Sequence, residues 1–232
     1  MTLLKEREDN EKIRRELRDL SEAKAKIELE TKINYPEEWD PMRDIENLKI
    51  VQLLKNTKEY RTILNEISKT IPSPNILKIE RVQNKWLWKS YVNRKNLLRD
   101  KGVEENEKWL YHGTRTTDPE QIYNGEFGFD LRHSNAGGLY GFGIYFAVNA
   151  SFCKPKYCYR NKNGTLSLFY VKVALGDTIE VQPNPTIRMP PEKPRRKNFA
   201  VERYDSVKGG TQMYTVYENF RAYPNYLITF VI

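Results

Sequence analysis

The sequence is poor in the residues that build disulfide scaffolds and metal centres. Of its 232 residues only two are cysteine, Cys153 and Cys158, and only two are histidine, His112 and His133. A secreted domain stapled by disulfides needs more cysteines, so a reducing, intracellular setting is favoured, cytoplasmic, nuclear or both. The four residues lack the spacing of a zinc site, and no metal is expected. No apolar run is long enough to cross a bilayer and the N-terminus is charged rather than signal-like, so no membrane attachment is expected. There is no internal repeat. What remains is a chain with 39% hydrophobic and 30% charged residues, the balance of a protein with a packed core. Its net charge of +8 suits anionic partners (a dinucleotide, nucleic acid or acidic proteins) without choosing among them.

Thr2 to about Lys32 reads as one charged helix, with Ile13, Leu17, Leu20 and Ile27 on a heptad-like stripe that Lys24 interrupts. Such a stripe serves either self-association or docking on a partner, or else a solvated helix or linker that packs one thin face. Tyr35-Pro36-Glu37-Glu38-Trp39-Asp40-Pro41 forces extended or turn geometry, and the domain boundary falls there: 1–34 helix or linker, 35–232 one domain.

Within that domain, Lys49–Leu53 reads as a strand. A helix capped around Asn56-Thr57-Lys58-Glu59 follows to about Thr70, and a second strand covers Asn75–Val82. Asn84 to about Arg99 is predicted as a helix with Trp88, Tyr91 and Leu97-Leu98 facing inward. Lys108–His112 is a strand, and Asp118-Pro119 opens a short helix that ends at Asn124 and Gly125. A loop spans Glu126–Tyr140, a strand Gly143–Ala147, and Asn149 or Ser151 starts a helix. Ser167–Leu175 alternates as a strand. Pro183–Lys197, with five prolines and five basic residues, is a loop, either solvated or touching an anionic partner. Met213–Tyr217 and Tyr226–Ile232 are final strands separated by a turn at Tyr223-Pro224. Strands outnumber helices after residue 100, with short connections, which predicts an α+β fold of antiparallel sheets with helices outside.

Two short pieces stand out: Tyr111-His112-Gly113-Thr114 and Gly141-Phe142-Gly143-Ile144-Tyr145-Phe146-Ala147. Each sets an imidazole or aromatic ring beside glycine at the edge of an apolar run. Glycine lets a backbone amide approach a ligand closely, and the rings supply flat faces and hydrogen bonds. Singly, each reads equally well as a turn at a strand end. Together and in this order they resemble the catalytic domain of the poly(ADP-ribose) polymerase superfamily. The likeness extends through Tyr204-Asp205-Ser206-Val207 and Ala222-Tyr223-Pro224-Asn225-Tyr226-Leu227-Ile228-Thr229-Phe230, and upstream through Ile79-Glu80-Arg81-Val82-Gln83-Asn84 with Leu87, Trp88 and Tyr91. It covers roughly Pro36 to the end, and its nearest branch is the mono-ADP-ribosylating one.

The resemblance implies two packed, mostly antiparallel sheets with flanking helices cradling NAD+, an ADP-ribosyltransferase-like fold preceded by the charged N-terminal helix. It implies cleavage of the nicotinamide–ribose bond, with NAD+ as substrate and no metal. Gly113 would clamp the nicotinamide carboxamide and Tyr145 would stack on its ring. Tyr157, or else Tyr159, would form the second aromatic wall. Where relatives place a serine hydroxyl, eight residues after the motif tyrosine, this chain has Cys153. A thiol is a weaker partner, so Ser151 would substitute, or Cys153 simply packs. His112, assisted by Thr114, would hold an adenosine ribose hydroxyl. Arg132 would contact phosphate or stand free at the surface. Phe142 occupies a position where many relatives carry lysine.

The deciding position is Met213. Polymerising relatives carry glutamate there, whose carboxylate polarises a ribose hydroxyl so that one ADP-ribose accepts the next. Methionine accepts no such hydrogen bond with strength. Transfer of single units to protein acceptors, including the chain itself, is therefore expected, with glutamate or aspartate as acceptor. Glu218, five residues on, points to the opposite face of a regular strand. The alternative reading is a weak or inactive module that binds NAD+ or ADP-ribose. A nucleic-acid acceptor is a third, for which the sequence offers the basic charge but no evident interleaved aromatic–basic platform.

Overall fold

The computed structural model describes residues 11–21, 33–134, 137–194 and 201–231. The chain divides into two compact units, Met1–Glu37 and Glu38–Ile232. In the first, residues 11–21 form a helix (α1) with every side chain exposed, among them Ile13, Leu17 and Leu20, and with an Arg15–Glu11 ion pair at 3.8 Å. The remainder of the expected helix, including Lys24 and Ile27, lies outside the described residues, as do 195–197 of the proline-rich loop and Ile232.

The second unit is built on strands β1 (Leu48–Gln52), β2 (Asn75–Asn84), β3 (Glu107–His112), β4 (Ile144–Ala147), β5 (Tyr159–Arg160), β6 (Leu166–Ala174), β7 (Thr178–Glu180), β8 (Ser206–Gly209), β9 (Met213–Val216) and β10 (Ala222–Val231). The helices are α2 (Lys58–Ser68), α3 (Lys85–Asp100), α4 (Pro119–Tyr123) and α5 (Ala150–Cys153). Sheet order is β1-β2-β10-β6-β3-β4-β9-β8-β7, with β5 also on β6. All pairings are antiparallel except β7 with β8. The α+β, mostly antiparallel architecture expected from the sequence is present, and in place of the two packed sheets expected the strands are hydrogen-bonded into one ten-stranded sheet with a narrow joint at its middle. The joint is a single pairing, Tyr111↔Ala147, between β3 and β4. The cleft described below opens at this joint.

Local chemistry explains the helices that cover the sheet. Thr57 caps α2 by accepting from the Tyr60 N–H at 3.2 Å, and Tyr60, Ile63 and Ile67 form its buried stripe. Asn84 caps α3 through the Leu87 N–H at 3.0 Å. Leu87, Trp88, Tyr91 and Leu98 are buried, whereas Leu97, expected to face inward, is 49% exposed. Seven residues bring Leu98 back over Tyr91, and Leu97 falls about 100° round the helix. The alternation read in β6 holds: Leu168 and Tyr170 join the core under α2, and Phe169, Val171 and Val173 join the core with Phe129 and Phe146.

Three short strands, β5, β7 and β8, are absent from the sequence reading, because two to four residues carry no usable alternation. The turn expected at Tyr223-Pro224 is instead part of β10. A register shift between Tyr223 and Tyr226 absorbs the proline, which has no N–H to donate, and the Asn225 side chain accepts from the Lys172 N–H at 2.9 Å. The proline-rich loop is largely exposed but tethered. Ile187 O accepts from Phe142 N–H at 2.9 Å, and Leu139 O from Asn184 N–H at 2.7 Å, so this loop supports the Gly137–Gly143 turn beside the cleft.

Candidate active site

The cleft at the β3/β4 joint measures about 770 Å³. β3 delivers His112, Gly113 and Thr114 to it, β4 delivers Tyr145, β9 delivers Met213, and α5 with the following turn delivers Cys153 and Tyr157. These seven residues, singled out in the sequence, line one cavity. Arg132 and Ser151 do not.

The His112 ring is enclosed by Phe129, edge-on at 4.9 Å, and by Phe146 at 5.4 Å. Burial pulls its pKa down to about 4, against the opposing pull of a 2.7 Å hydrogen bond to the Tyr145 carbonyl. A carbonyl only accepts, so Nδ1 holds the proton and Nε2 is left as a lone-pair acceptor. The imidazole is therefore suited to receiving a hydroxyl at neutral pH and unsuited to proton shuttling. Thr114 donates its hydroxyl to Thr117 O at 2.5 Å, which fixes the turn after the motif.

Tyr145 is fixed at both ends. Its backbone oxygen holds His112, while its hydroxyl donates to Gly141 O and accepts from the Tyr140 N–H, each at 2.8 Å. Tyr157 lines the same cleft, half-buried, with the Phe152 ring parallel to it at 5.9 Å and 11° and the Lys156 ammonium 5.4 Å from its centroid. Tyr159 turns away, its hydroxyl 3.3 Å from an Asp118 carboxylate oxygen, so of the two tyrosines only Tyr157 lines the cleft.

Gly113 is required by packing before any ligand is considered. A Cβ there would collide with the Tyr157 carbonyl, the group that also accepts the Arg115 N–H at 2.9 Å. Its own N–H is directed at the Cys153 thiol. Cys153 is buried, and burial together with neighbouring Cys158 pushes its pKa up; burial pushes Cys158 up to about 12. Both remain neutral thiols.

Ser151 is exposed, with its N–H on Thr70 Oγ1 at 3.3 Å. Two residues along a helix are separated by about 200°, so a turn that aims Cys153 inward aims Ser151 outward. Arg132 is held outside the cleft by Asp130, with Nε and Nη2 at 2.8 and 2.6 Å from Oδ2, and its guanidinium lies 4.7 Å from the Phe127 ring. Its side chain is 71% exposed. Met213 pairs with Ala147 and faces the same side as Tyr145, two residues away on β4. Glu218 is engaged by Arg94 and, at 2.9 Å, by Arg221, and does not line the cleft.

The sequence reading missed several lining residues, among them Arg115, Phe129, Phe152 and Lys156. Arg115 carried the clearest signal, since it follows the first motif directly; its φ of 57° bends the chain out of the strand. Asp130 is the one carboxylate among the lining residues, and Arg132 neutralises it. Among the described residues no group of three or more His, Cys, Asp or Glu could hold a metal ion, and no helix is long and apolar enough to cross a membrane. The arrangement offers a backbone amide, two ring faces and a neutral imidazole, which together suit a flat uncharged amide and ribose hydroxyls.

A mostly antiparallel sheet with a His- and Tyr-bearing cleft at its central joint defines the class, an ADP-ribosyltransferase-like domain. The family model of the poly(ADP-ribose) polymerase catalytic domain matches residues 57–200, more than half of the chain, and the chain belongs to that family. It is similar to a probable poly [ADP-ribose] polymerase of Dictyostelium discoideum, 34% identical over 206 residues, covering 84% of this chain and 57% of that protein. It is also similar to the human protein mono-ADP-ribosyltransferase PARP14, 33% identical over 205 residues, covering 86% of this chain and 11% of that protein. To the mouse protein mono-ADP-ribosyltransferase PARP12 it is 30% identical over 204 residues, covering 85% of this chain and 27% of the relative. The chain thus spans between about a tenth and somewhat over half of the length of these relatives. Names of the mono-ADP-ribosyltransferase type among them support that branch.

Proposed function

We propose that residues 35–232 transfer single ADP-ribose units from NAD+ to protein acceptors, the chain itself included, at glutamate or aspartate, releasing nicotinamide. The observation that carries this reading is Met213, in register with Ala147 inside a cleft whose one lining carboxylate, Asp130, is tied to Arg132. Among the described residues no free carboxylate lines the cleft to turn a bound ribose hydroxyl into the next acceptor. Relatives named mono-ADP-ribosyltransferases support the same reading.

In this reading Gly113 pairs with the nicotinamide carboxamide through its backbone, Tyr145 and Tyr157 hold the pyridine ring between their faces, and His112 Nε2 accepts an adenosine ribose hydroxyl. The cavity volume, the place of Gly113 on its lining and the free imidazole acceptor fit such a dinucleotide, with the Gly113 N–H turning from the Cys153 thiol to the ligand. These residues bind and orient; with an uncharged imidazole and neutral thiols, none is poised to move a proton. Positive charge developing on the ribose is met by the acceptor's own carboxylate as it attacks. The buried free cysteines favour a reducing compartment inside the cell. The exposed stripe of α1 suits self-association or docking on a partner.

Intact-mass measurement after incubation with NAD+ tests the proposal. Mass is expected to rise in single ADP-ribose steps, and His112→Ala or Tyr145→Ala is expected to abolish the gain. Long product ladders would remove the single-unit assignment. A second reading, ligand binding with little turnover, is favoured by the Cys153 thiol that engages the Gly113 N–H. It predicts NAD+ binding without nicotinamide release.

A further inference from the structure

We propose that the rim of the cleft at its Tyr157 end docks single-stranded nucleic acid. The sequence reading found no interleaved platform, because the letters of 152–162 do not tell which of these side chains are exposed and unpaired, nor that Arg115 lies against them. From α5 into β5 the chain alternates them: Phe152, Lys154, Lys156, Tyr157, Arg160, and then Lys162. The N–H of Arg115 bonds to Tyr157 O at 2.9 Å, which sets the arginine after the first motif against this same stretch.

Some surface cations elsewhere in the domain are neutralised at close range, Lys69 by Glu66, Lys78 by Glu80 and Lys208 by Glu180, while Lys55, Lys58, Arg61 and Lys89 stand without an ion pair among the described residues. Arg115, Lys154, Lys156, Arg160 and Lys162 have no carboxylate within ion-pair distance among the described residues, and all but the half-buried Lys154 are exposed. Unneutralised cations grouped this way set up a local positive potential. Phe152 stacks one face on Tyr157 and is still 36% exposed, which leaves its outer face open to a base. Arg115, Phe152 and Lys156 all line the cleft, so a strand on this rim passes its mouth. On the Tyr159 side the patch ends at a second pocket, where Lys162 shares the lining with Glu80, Asp118 and Glu120.

Cations alone would serve an acidic peptide equally well. Rings alternating with cations every two or three residues suit phosphates alternating with bases, and the exposed face of Phe152 decides for a single strand over a duplex, whose base faces are hidden. Binding of this kind needs no NAD+ and stands apart from the transfer reaction.

Fluorescence anisotropy with a short labelled oligouridine, without NAD+, tests the proposal. Affinity is expected to fall with potassium chloride concentration, and the log–log slope to shrink by about 0.7 for each phosphate-contacting cation removed in Lys154→Ala and Arg160→Ala. Phe152→Ala is expected to weaken binding roughly tenfold while leaving that slope unchanged. Melting temperature is read alongside, so that a folding defect is not mistaken for lost contacts. Absence of binding at low salt would overturn the proposal. So would equal affinity for a polyglutamate peptide with no effect of Phe152→Ala, which would mark an acidic-protein surface, and so would tighter binding of a duplex.

Discussion

His112 Nδ1 lies 2.7 Å from the backbone oxygen of Tyr145, so the side chain of the first motif is oriented by the main chain of the second. The contact fixes the tautomer, while the surrounding Phe129 and Phe146 disfavour the imidazolium. A histidine whose pKa falls from 6.5 to about 4 on folding binds its proton more readily in the unfolded chain. Stability from this site is thus fully present above pH 6.5 and is lost as pH falls toward about 4. Denaturant titrations across that window should show His112→Gln with a shallower pH dependence than the parent, by up to one proton. Identical slopes would mean that the ring is not shielded in the folded protein.

Gly113 and Gly138 separate packing from site geometry. A Cβ at Gly113 meets backbone, the Tyr157 carbonyl, whereas one at Gly138 meets the outer end of the Tyr145 ring. Gly113→Ala should cost about 1–3 kcal/mol of stability, the usual range for overpacking, because the main chain of the Tyr157 turn must move. Gly138→Ala should cost less stability, since a side chain yields first, yet still displace Tyr145 and reduce transfer. Chemical denaturation and single-turnover rates on the two variants check the ordering; equal stability losses would contradict it.

What could be read from the sequence, and what could not, follows from the range of the interactions. His112, Tyr145 and Met213 reach one cleft because each belongs to a strand that the local pattern already implied, and Gly113 follows β3 directly. Ser151 and Arg132 miss it for reasons of geometry and competition. One is half a turn out of phase on α5, and the other is captured by Asp130 two residues away, an attraction that a letter pattern does not record. Pro224 marks a turn in isolation and becomes a bulge only because β6 and β2 flank β10 on both sides. The cations beside Tyr157 carried no reading in the sequence, because the absence of an ion pair at Lys154, Lys156 and Arg160 among the described residues is a property of the fold.

Tyr223 ties α3 to the sheet. Its buried hydroxyl accepts from the Asn84 N–H at 2.9 Å and donates to Val82 O at 2.8 Å. Phenylalanine keeps the ring contacts with Trp88 and Tyr91 but leaves the Asn84 N–H without its partner at the cap of α3. Tyr223→Phe is expected to destabilise the domain by about 1–3 kcal/mol. Thermal or urea unfolding reads the loss, and a change near zero would mean that water replaces the hydroxyl.

Arg81 is 5% exposed and is bound by Glu59 at 2.6 Å and Asp40 at 2.5 Å, and Glu59 also accepts from the Tyr226 hydroxyl at 2.8 Å. The arginine is the buried member, while both carboxylates reach water. Removing the cation strands Glu59 beside Tyr226, so Arg81→Ala should cost about 3 kcal/mol, toward the lower end for a broken buried pair. Asp40→Ala should cost clearly less, because Glu59 still compensates the guanidinium. Urea midpoints of the two single variants decide, and a larger loss for Asp40→Ala would reverse the assignment of which partner anchors the network.

Cys153 supplies the sharpest chemical test of the cleft. A serine hydroxyl in the same position is a stronger hydrogen-bond partner for a carboxamide than the thiol. If the slot between Tyr145 and Tyr157 holds the nicotinamide end, Cys153→Ser should tighten binding of benzamide, a mimic that carries only that ring and amide, by about two- to tenfold. The parent protein should meanwhile resist iodoacetamide at neutral pH, because Cys153 and Cys158 are buried and their raised pKa values keep the reactive thiolate scarce. Calorimetry gives the first result and intact mass the second. Benzamide affinity unchanged by serine would mean that the amide docks elsewhere, and rapid alkylation of the folded parent would mean that the thiols are open to solvent.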